Sequence, residues 1–196
     1  MSELKKFFNQ LTPLSDESWD KLSLLFTPKT LKKGEYFIKE GQTAKEIAFM
    51  ENGIVRAFYR NNEAVEYNKH FFISPCFIGG YASLITKLPN QIYQQALTDC
   101  KLLVANYTAI KELYQSCHDL ERAGRVLAEH FFVQKEKREI ELVLLDSESR
   151  YEIFLKEFPH LEQQIPQYHI ASYLGITPTQ LSRIRKRMSR ARHLST

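Results

Sequence analysis

The stretch "YHIASYLGITPTQLSRIRKRMSR", Tyr168 to Arg190, places two short amphipathic runs on either side of a glycine, and the second run fills with arginines. Apolar residues at helical spacing mark one inner face on each run. Gly175 stands between them, where the chain must turn sharply. Thr177 can cap the second helix, and Pro178 suits its first position, where the missing N–H of proline costs nothing. The stretch therefore predicts a helix-turn-helix.

The outer face of the second predicted helix has the chemistry of a DNA-reading surface. In a helix-turn-helix this face enters the major groove at its N-terminal end. Gln180 can pair with adenine through two hydrogen bonds and Arg183 with guanine, whereas the basic residues beyond them suit phosphates. The predicted DNA-contacting residues are Thr177, Thr179, Gln180, Ser182, Arg183, Lys186, Arg187 and Arg190.

The charge distribution points the same way. The formal net charge is only +4, but no acidic residue follows Glu162. The last fourteen positions include Arg183, Arg185, Lys186, Arg187, Arg190 and Arg192. Charge this one-sided favours a polyanionic partner. The alternative is a ligand-sensing or partner-binding protein in which this basic segment is a solvated face without specific DNA recognition.

Composition excludes several other classes of protein. A hydrophobic content of 43% in 196 residues is enough for a core. No run approaches the ~18 apolar residues of a membrane helix, and the start lacks a secretory signal, so we expect a cytoplasmic protein without a membrane partner. The three cysteines, Cys76, Cys100 and Cys117, are too scattered for a disulfide framework or a metal site. The chain has no nucleophile elbow, P-loop or H-E-x-x-H motif, so we expect no enzyme activity.

The first half of the chain predicts strands between short helices. Residues 1–26 have helical periodicity, whereas residues 30–107 contain short apolar runs broken by turn signals. Asn52-Gly53 lies between two apolar runs and predicts a hairpin, and Asn61-Asn62 predicts another turn. Several strands at this spacing indicate an antiparallel roll or barrel.

A long helix is predicted over residues 118–145. Leu120, Gly124, Leu127 and Phe131 repeat in it at steps of 4, 3 and 4, which is typical of a coiled-coil seam, so they are the predicted dimer interface. The alternative is that this face packs on the chain's own sheet. Asp146 follows and can cap a new helix, which makes it the best candidate for a hinge.

Three segments in this order resemble one family. "IASYLGITPTQLSRIRKRM" (170–188) is similar to the DNA-binding element of the Crp–Fnr family of bacterial transcription regulators. "LKKGEYFIKEGQTAKEIAFMENGIVRAFY" (31–59) is similar to its cyclic-nucleotide-binding β-roll, and "PCFIGGYASLITKLPNQIYQQALTDCKLL" (75–103) resembles its phosphate-binding cassette.

The resemblance implies an α+β fold with three parts. These are an N-terminal antiparallel β-roll (double-stranded β-helix) with flanking helices at 1–117, a dimerisation helix at 118–145 and a winged helix-turn-helix domain at 146–196. It implies a homodimer that binds double-stranded DNA at a two-fold operator, with RNA polymerase as an additional candidate partner.

The cassette departs from the cyclic-AMP-binding members of the family. Gly80 stands where they have a ribose-binding Glu, and Asn90 and Gln91 stand where they have an Arg-Ser pair for the phosphate. A neutral amide cannot replace a guanidinium, so we expect no cyclic AMP, no other cofactor that the sequence identifies, and an unknown effector or none. The resemblance places an effector pocket at Gly79, Gly80, Tyr81, Asn90, Gln91, Gln134 and Lys135.

Overall fold

The computed structural model describes residues 1–194, with side chains described up to Arg190. Its helices are α1 Ser2–Leu11, α2 Asp16–Ser23, α3 Tyr81–Thr86, α4 Tyr107–Leu113, α5 His118–Leu144, α6 Ser147–Glu157, α7 Gln167–Leu174 and α8 Pro178–Leu194. Its strands are β1 Thr27–Leu31, β2 Tyr36–Ile38, β3 Glu46–Asn52, β4 Ile54–Arg60, β5 Glu66–Ile73, β6 Cys76–Ile78, β7 Tyr93–Ala96 and β8 Cys100–Asn106.

The chain forms two compact units. The first contains Met1–Tyr59 and His70–Val133, and the second contains Arg60–Lys69 and Gln134–Thr196. The division falls inside α5, whereas the sequence places domain boundaries before residue 118 and after residue 145. Those boundaries describe functional segments and stay a prediction.

The first unit is built on two four-stranded sheets. Their strand orders are β1-β8-β3-β6 and β2-β7-β4-β5. The strand pairs β1–β8, β3–β6, β3–β8, β2–β7 and β4–β7 are antiparallel. Apolar side chains from both sheets, among them Met50, Val55 and Leu102, form one buried cluster. The predicted α+β class and antiparallel roll are confirmed.

The hairpin predicted at Asn52-Gly53 is wrong. β3 and β4 lie in different sheets, so the chain crosses from one sheet to the other at this point. Gly53 has a φ of +118°, and a Cβ atom added to it would lie 2.5 Å from Cys100 Sγ and 2.9 Å from the Cys100 Cα atom. The glycine is therefore needed for a close approach of two backbones.

The turn predicted at Asn61-Asn62 is confirmed. The Asn61 N–H donates to the Val65 carbonyl at 3.0 Å, and the Asn61 side-chain oxygen accepts from the N–H groups of Glu63 and Val65. Ala64 has a φ of +62° and completes the reversal. This turn joins β4 to β5, and the surrounding segment, Arg60–Lys69, belongs to the second unit.

The N-terminal helices pack on one end of the roll. Leu4 and Phe8 of α1 share a buried cluster with Phe49, Phe77 and the start of α5. Ser15 caps α2 through a hydrogen bond from the Ser18 N–H. Asp119 of α5 accepts from the Ser15 N–H at 2.7 Å and from the Ser18 hydroxyl at 2.6 Å, which ties the two helices together.

The helices of the second unit surround a small aromatic core. Phe154 is fully buried and its ring lies 5.4 to 5.7 Å from those of Phe158 and Tyr173. No strand occurs between residues 107 and 194. A wing is made of strands, and all the regular elements after β8 are helices. The wing that the family resemblance implied is therefore absent from the part of the chain that the structure describes.

Candidate nucleic-acid interface

α7, Gly175 and α8 form the predicted helix-turn-helix. Gly175 adopts a φ of +70° and donates its N–H to carbonyls of the last turn of α7, which ends that helix. The predicted inner faces are buried: Ile170, Ala171 and Leu174 on α7, and Leu181 and Ile184 on α8. Fixed packing on these faces holds the outer surface of α8 in one orientation relative to α7.

A capping box begins α8. The Thr177 hydroxyl accepts from the Gln180 N–H at 3.2 Å, and the Gln180 Oε1 atom accepts from the Thr177 N–H at 2.9 Å. The predicted roles of Thr177 as cap and of Pro178 as first helical residue are confirmed. Gln180, predicted to contact adenine, is exposed, but its side-chain oxygen is engaged in this box. A bidentate contact to a base would require it to leave the cap.

The rest of the predicted DNA-contacting surface is solvent-exposed. The exposed residues on it are Thr177, Thr179, Ser182, Arg183, Lys186, Arg187 and Arg190. Arg183, Lys186 and Arg190 follow one another at steps of 3 and 4, so they lie on one side of the helix. These three cations have no ion pair with any described residue.

Two other arginines of α8 pair with acidic residues of their own unit. Arg187 bonds through its guanidinium to both carboxylate oxygens of Glu148. Arg185 lies 3.8 Å from a Glu162 oxygen that also accepts a hydrogen bond from Tyr151. Sequence spacing did not reveal these pairs, since 39 positions separate Arg187 from Glu148. The side chain of Arg192 lies outside the described residues.

The seam predicted on α5 is largely used within the chain. Leu120 is 2% exposed and belongs to the core of the first unit. A Cβ atom at Gly124 would lie 2.5 Å from the hydroxyl oxygen of Tyr114, the residue that follows α4, so this glycine allows a close contact within the chain. Leu127 packs on the same core, and Phe131 is 38% exposed. Leu120 and Gly124 therefore pack within the chain, which favours the alternative at these two positions, and the dimer interface on this face stays a prediction.

The exposed apolar residues of α5 lie on another face. Phe132, Val133, Ile140, Val143 and Leu144 are all more than half exposed. Val126, Val133 and Ile140 are spaced by seven residues, which is a heptad repeat. It was not predicted from the sequence because the predicted interface used the 4-3-4 pattern on the buried face of the same helix.

The residues predicted to form the effector pocket divide between the two units. Gly79 and Gly80 precede α3, Tyr81 is its half-exposed first residue, Asn90 is buried and Gln91 is exposed. Gln134 and Lys135 are exposed on α5, where Lys135 lies 3.5 Å from Glu139.

The space beside Gly80 is occupied by the chain's own atoms. A Cβ atom at Gly80 would lie 3.0 Å from both Asn90 Oδ1 and Ile38 Cδ1. The Asn90 amide donates to the carbonyls of Lys39 and Ile92. A glutamate at position 80 would therefore displace an amide that the backbone already holds.

A second amide completes this internal network. Gln94 is 1% exposed and donates from Nε2 to the Gly79 carbonyl at 2.9 Å. Its Oε1 atom has no partner among the described residues. Asn90 and Gln94 are thus neutral amides that donate to backbone carbonyls around them, and neither supplies the positive charge that a buried phosphate needs.

Two features are absent from the part of the chain that the structure describes. No helix within residues 1–194 is long and apolar enough to cross a membrane. No group of three or more His, Cys, Asp or Glu side chains in this part of the chain could hold a metal ion.

Similarity to known proteins agrees with the architecture. Residues 28–117 match the family of cyclic nucleotide-binding domains. No curated protein matches the chain in sequence.

Solved structures resemble nearly the whole chain. FixK2 from Bradyrhizobium japonicum has a TM-score of 0.76 at 15% identity, with 85% of each chain covered. The c-di-GMP-responsive global regulator CLP from Xanthomonas campestris has a TM-score of 0.71 at 15% identity, covering 90% of this chain and 93% of that one. A protein described as a transcriptional regulator of the Crp/Fnr family, from Eubacterium rectale, has a TM-score of 0.72 at 16% identity, covering 93% and 86%.

Proposed function

We propose that this chain, which has the fold of the Crp/Fnr regulators and a cyclic nucleotide-binding domain at residues 28–117, is a sequence-specific DNA-binding transcription regulator. It acts as a homodimer on a two-fold operator, with one α8 helix in the major groove of each half-site. Contact with RNA polymerase stays a prediction.

One observation carries the proposal: three neighbouring cations of α8 have no ion pair with any residue whose side chain the structure describes. Arg183, Lys186 and Arg190 share an exposed side, while Arg185 and Arg187 are engaged by Glu162 and Glu148. A helix that binds DNA needs free guanidinium and ammonium groups on the side that faces bases and phosphates.

The exposed stripe of α5 supports the homodimer. β-branched residues at every seventh position, here Val126, Val133 and Ile140, favour two-stranded coiled coils. We infer that the two chains meet along this stripe and not along the predicted seam of Leu120 and Gly124. Ile140→Glu should give a monomer by analytical ultracentrifugation, whereas Gln134→Glu, at an exposed position away from the stripe, should leave the dimer intact. A dimer that survives Ile140→Glu would exclude this interface.

The effector, where one exists, is not cyclic AMP. The space beside Gly80 is filled and Asn90 offers a bonded amide in place of a cation. The relative CLP is described as responsive to c-di-GMP, but a dinucleotide also needs positive partners for its phosphates. We therefore expect regulation by another ligand, by binding partners or by none.

The test is an operator selection followed by titration in increasing salt. The chain is expected to select a two-fold sequence and to lose affinity steeply with salt through counterion release. Arg183→Ala should relax the preference at one base position of each half-site, at a cost of ~1–3 kcal/mol. Arg185→Ala is the matched control, because Arg185 faces Glu162, and should keep the preference.

Equal binding to every sequence would contradict the proposal. It would favour a ligand-sensing or partner-binding protein whose basic helix is only a solvated face.

A further inference from the structure

The outer edge of β5 is covered by α7 at one short segment. β5 is the last strand of its sheet, so its outward N–H and C=O groups have no strand to pair with. Its first residues, 66–69, belong to the second unit together with α7. The contacts between this segment and α7 therefore lie within one unit.

The Ser172 hydroxyl bonds to two backbone groups on the outer edge of β5. Its hydroxyl accepts from the Asn68 N–H at 2.9 Å and donates to the Glu66 carbonyl at 2.7 Å. A hydroxyl can do both at once, so one side chain satisfies the two backbone groups that a neighbouring strand would satisfy. Edge strands in other proteins are protected in a similar way by a covering helix.

Asn68 adds a side-chain contact to the same helix. Its Nδ2 atom donates to the His169 carbonyl at 3.0 Å, and both residues are buried. Glu66, Asn68, His169 and Ser172 thus form a set of three hydrogen bonds, which we call the clasp. Breaking it would remove hydrogen bonds from buried and partly buried polar groups, which is costly.

A second attachment holds the C-terminal end of α7. The Arg138 guanidinium of α5 donates to the Tyr173 carbonyl and lies 3.9 Å from the centre of the Tyr173 ring. It also lies 3.4 Å from the buried carboxylate of Glu141. A carbonyl in the last turn of a helix lacks an intrahelical partner, so the cation caps it. α7 is therefore fastened at its middle and at its end by residues that precede the predicted hinge at Asp146.

We propose that Asn68 and Ser172 are positioning residues for DNA recognition, an inference that rests on the proposed function. They fix the orientation of α7, and the packed turn at Gly175 transmits that orientation to α8. A dimer that binds two half-sites loses less conformational entropy when each reading helix is already oriented. Neither residue is among those predicted to contact DNA.

The test compares Asn68→Ala and Ser172→Ala with a control, Asn62→Ala, which makes the same change at an exposed position of the same turn segment. Each clasp variant should bind the two-half-site operator roughly tenfold more weakly, with binding to non-specific DNA unchanged because the cations of α8 are intact. Ser172→Thr retains the hydroxyl and should restore the affinity. Operator affinity that is unchanged or higher in both alanine variants overturns the proposal.

Hydrogen exchange without DNA provides the readout that separates this proposal from the proposed function. Amides of residues 169–173 should exchange faster in Asn68→Ala and Ser172→Ala than in Asn62→Ala. Unchanged exchange overturns the clasp. Absence of sequence-dependent binding by the unaltered protein would count against the proposed function, whereas faster exchange with unchanged operator affinity would count against the positioning role alone.

Discussion

The cassette of the roll and the outer side of α8 both carry polar side chains, but those of the cassette bond within their own unit and those of α8 face solvent. Asn90 and Gln94 are buried and donate to carbonyls of their own unit. Arg183, Lys186 and Arg190 are exposed and have no ion pair among the described residues. A ligand at the cassette must therefore displace internal hydrogen bonds, whereas a partner of α8 meets cations that no described residue neutralises.

The largest expected effect tests whether the cassette is internally satisfied. Asn90→Ala removes the donor to the Lys39 and Ile92 carbonyls and should lower the free energy of unfolding by about 1–3 kcal/mol, because these partly buried carbonyls lose the buried amide that bonds to them. Urea denaturation measures it. Gln91→Ala, at the exposed neighbouring position, should change stability by less than about 0.5 kcal/mol. An equally small loss for Asn90→Ala would show that its internal hydrogen bonds do not stabilise the roll.

A smaller effect concerns the one strongly shifted carboxylate of the first unit. Burial alone would raise the pKa of Asp119, but hydrogen bonds from Ser18, Ser15 and the Leu120 N–H lower that pKa to about 2. Since the folded pKa lies below the unfolded value, the carboxylate stabilises the fold above about pH 4, by about 1–2 kcal/mol, and this is lost as the pH falls through 2.

The measurement is unfolding of Asp119→Asn at two pH values. The variant should be less stable than the unaltered protein at pH 6, and the difference should shrink at pH 3 as the carboxylate of the unaltered protein loses its advantage. Asp20→Asn, which removes one negative charge from an exposed position on α2, is the matched control. A pH-independent difference would mean that Asp119 acts through packing alone.

A third prediction distinguishes free from engaged cations on α8. Arg190→Ala should weaken binding to all DNA sequences alike and reduce the salt slope by about 1. Arg187→Ala should have a smaller effect, since the Glu148 carboxylate already neutralises that guanidinium. Salt titrations of both variants measure it. Equal losses would show that DNA displaces Glu148 from Arg187.

The smallest expected effect is the absence of any response to cyclic AMP. Cyclic AMP should not change the melting temperature at any concentration, because a ligand stabilises a protein only when it binds the folded state. The roll offers it Gly80 and Asn90 where a carboxylate and a guanidinium would be needed. A concentration-dependent rise in melting temperature would contradict the account of the cassette.

Local signals made the helix-turn-helix predictable. A glycine at positive φ, a threonine cap and a proline at the first helical position each act within a few residues, so Gly175, Thr177 and Pro178 suffice to define the turn. The strand content of the roll was predictable for the same reason.

Features that depend on distant residues were not predictable. Asn52-Gly53 has the composition of a hairpin, but only the pairing of β3 and β4 with other strands shows that the chain changes sheets there. The 4-3-4 repeat on α5 fits a partner helix or the chain's own core equally well, and Leu120 proved to be core. The pairing of Arg187 with Glu148 depends on the packing of two separate helices.

The capping box at Thr177 and Gln180 restricts how the specificity of this helix can evolve. Position 180 contributes both to the start of α8 and to the surface predicted to meet bases. Only Gln and Glu complete such a box well, and Glu accepts from cytosine where Gln pairs with adenine. A change of operator through position 180 would therefore have one inexpensive route, Gln180→Glu, while most other residues would change the preference only by weakening the helix that expresses it.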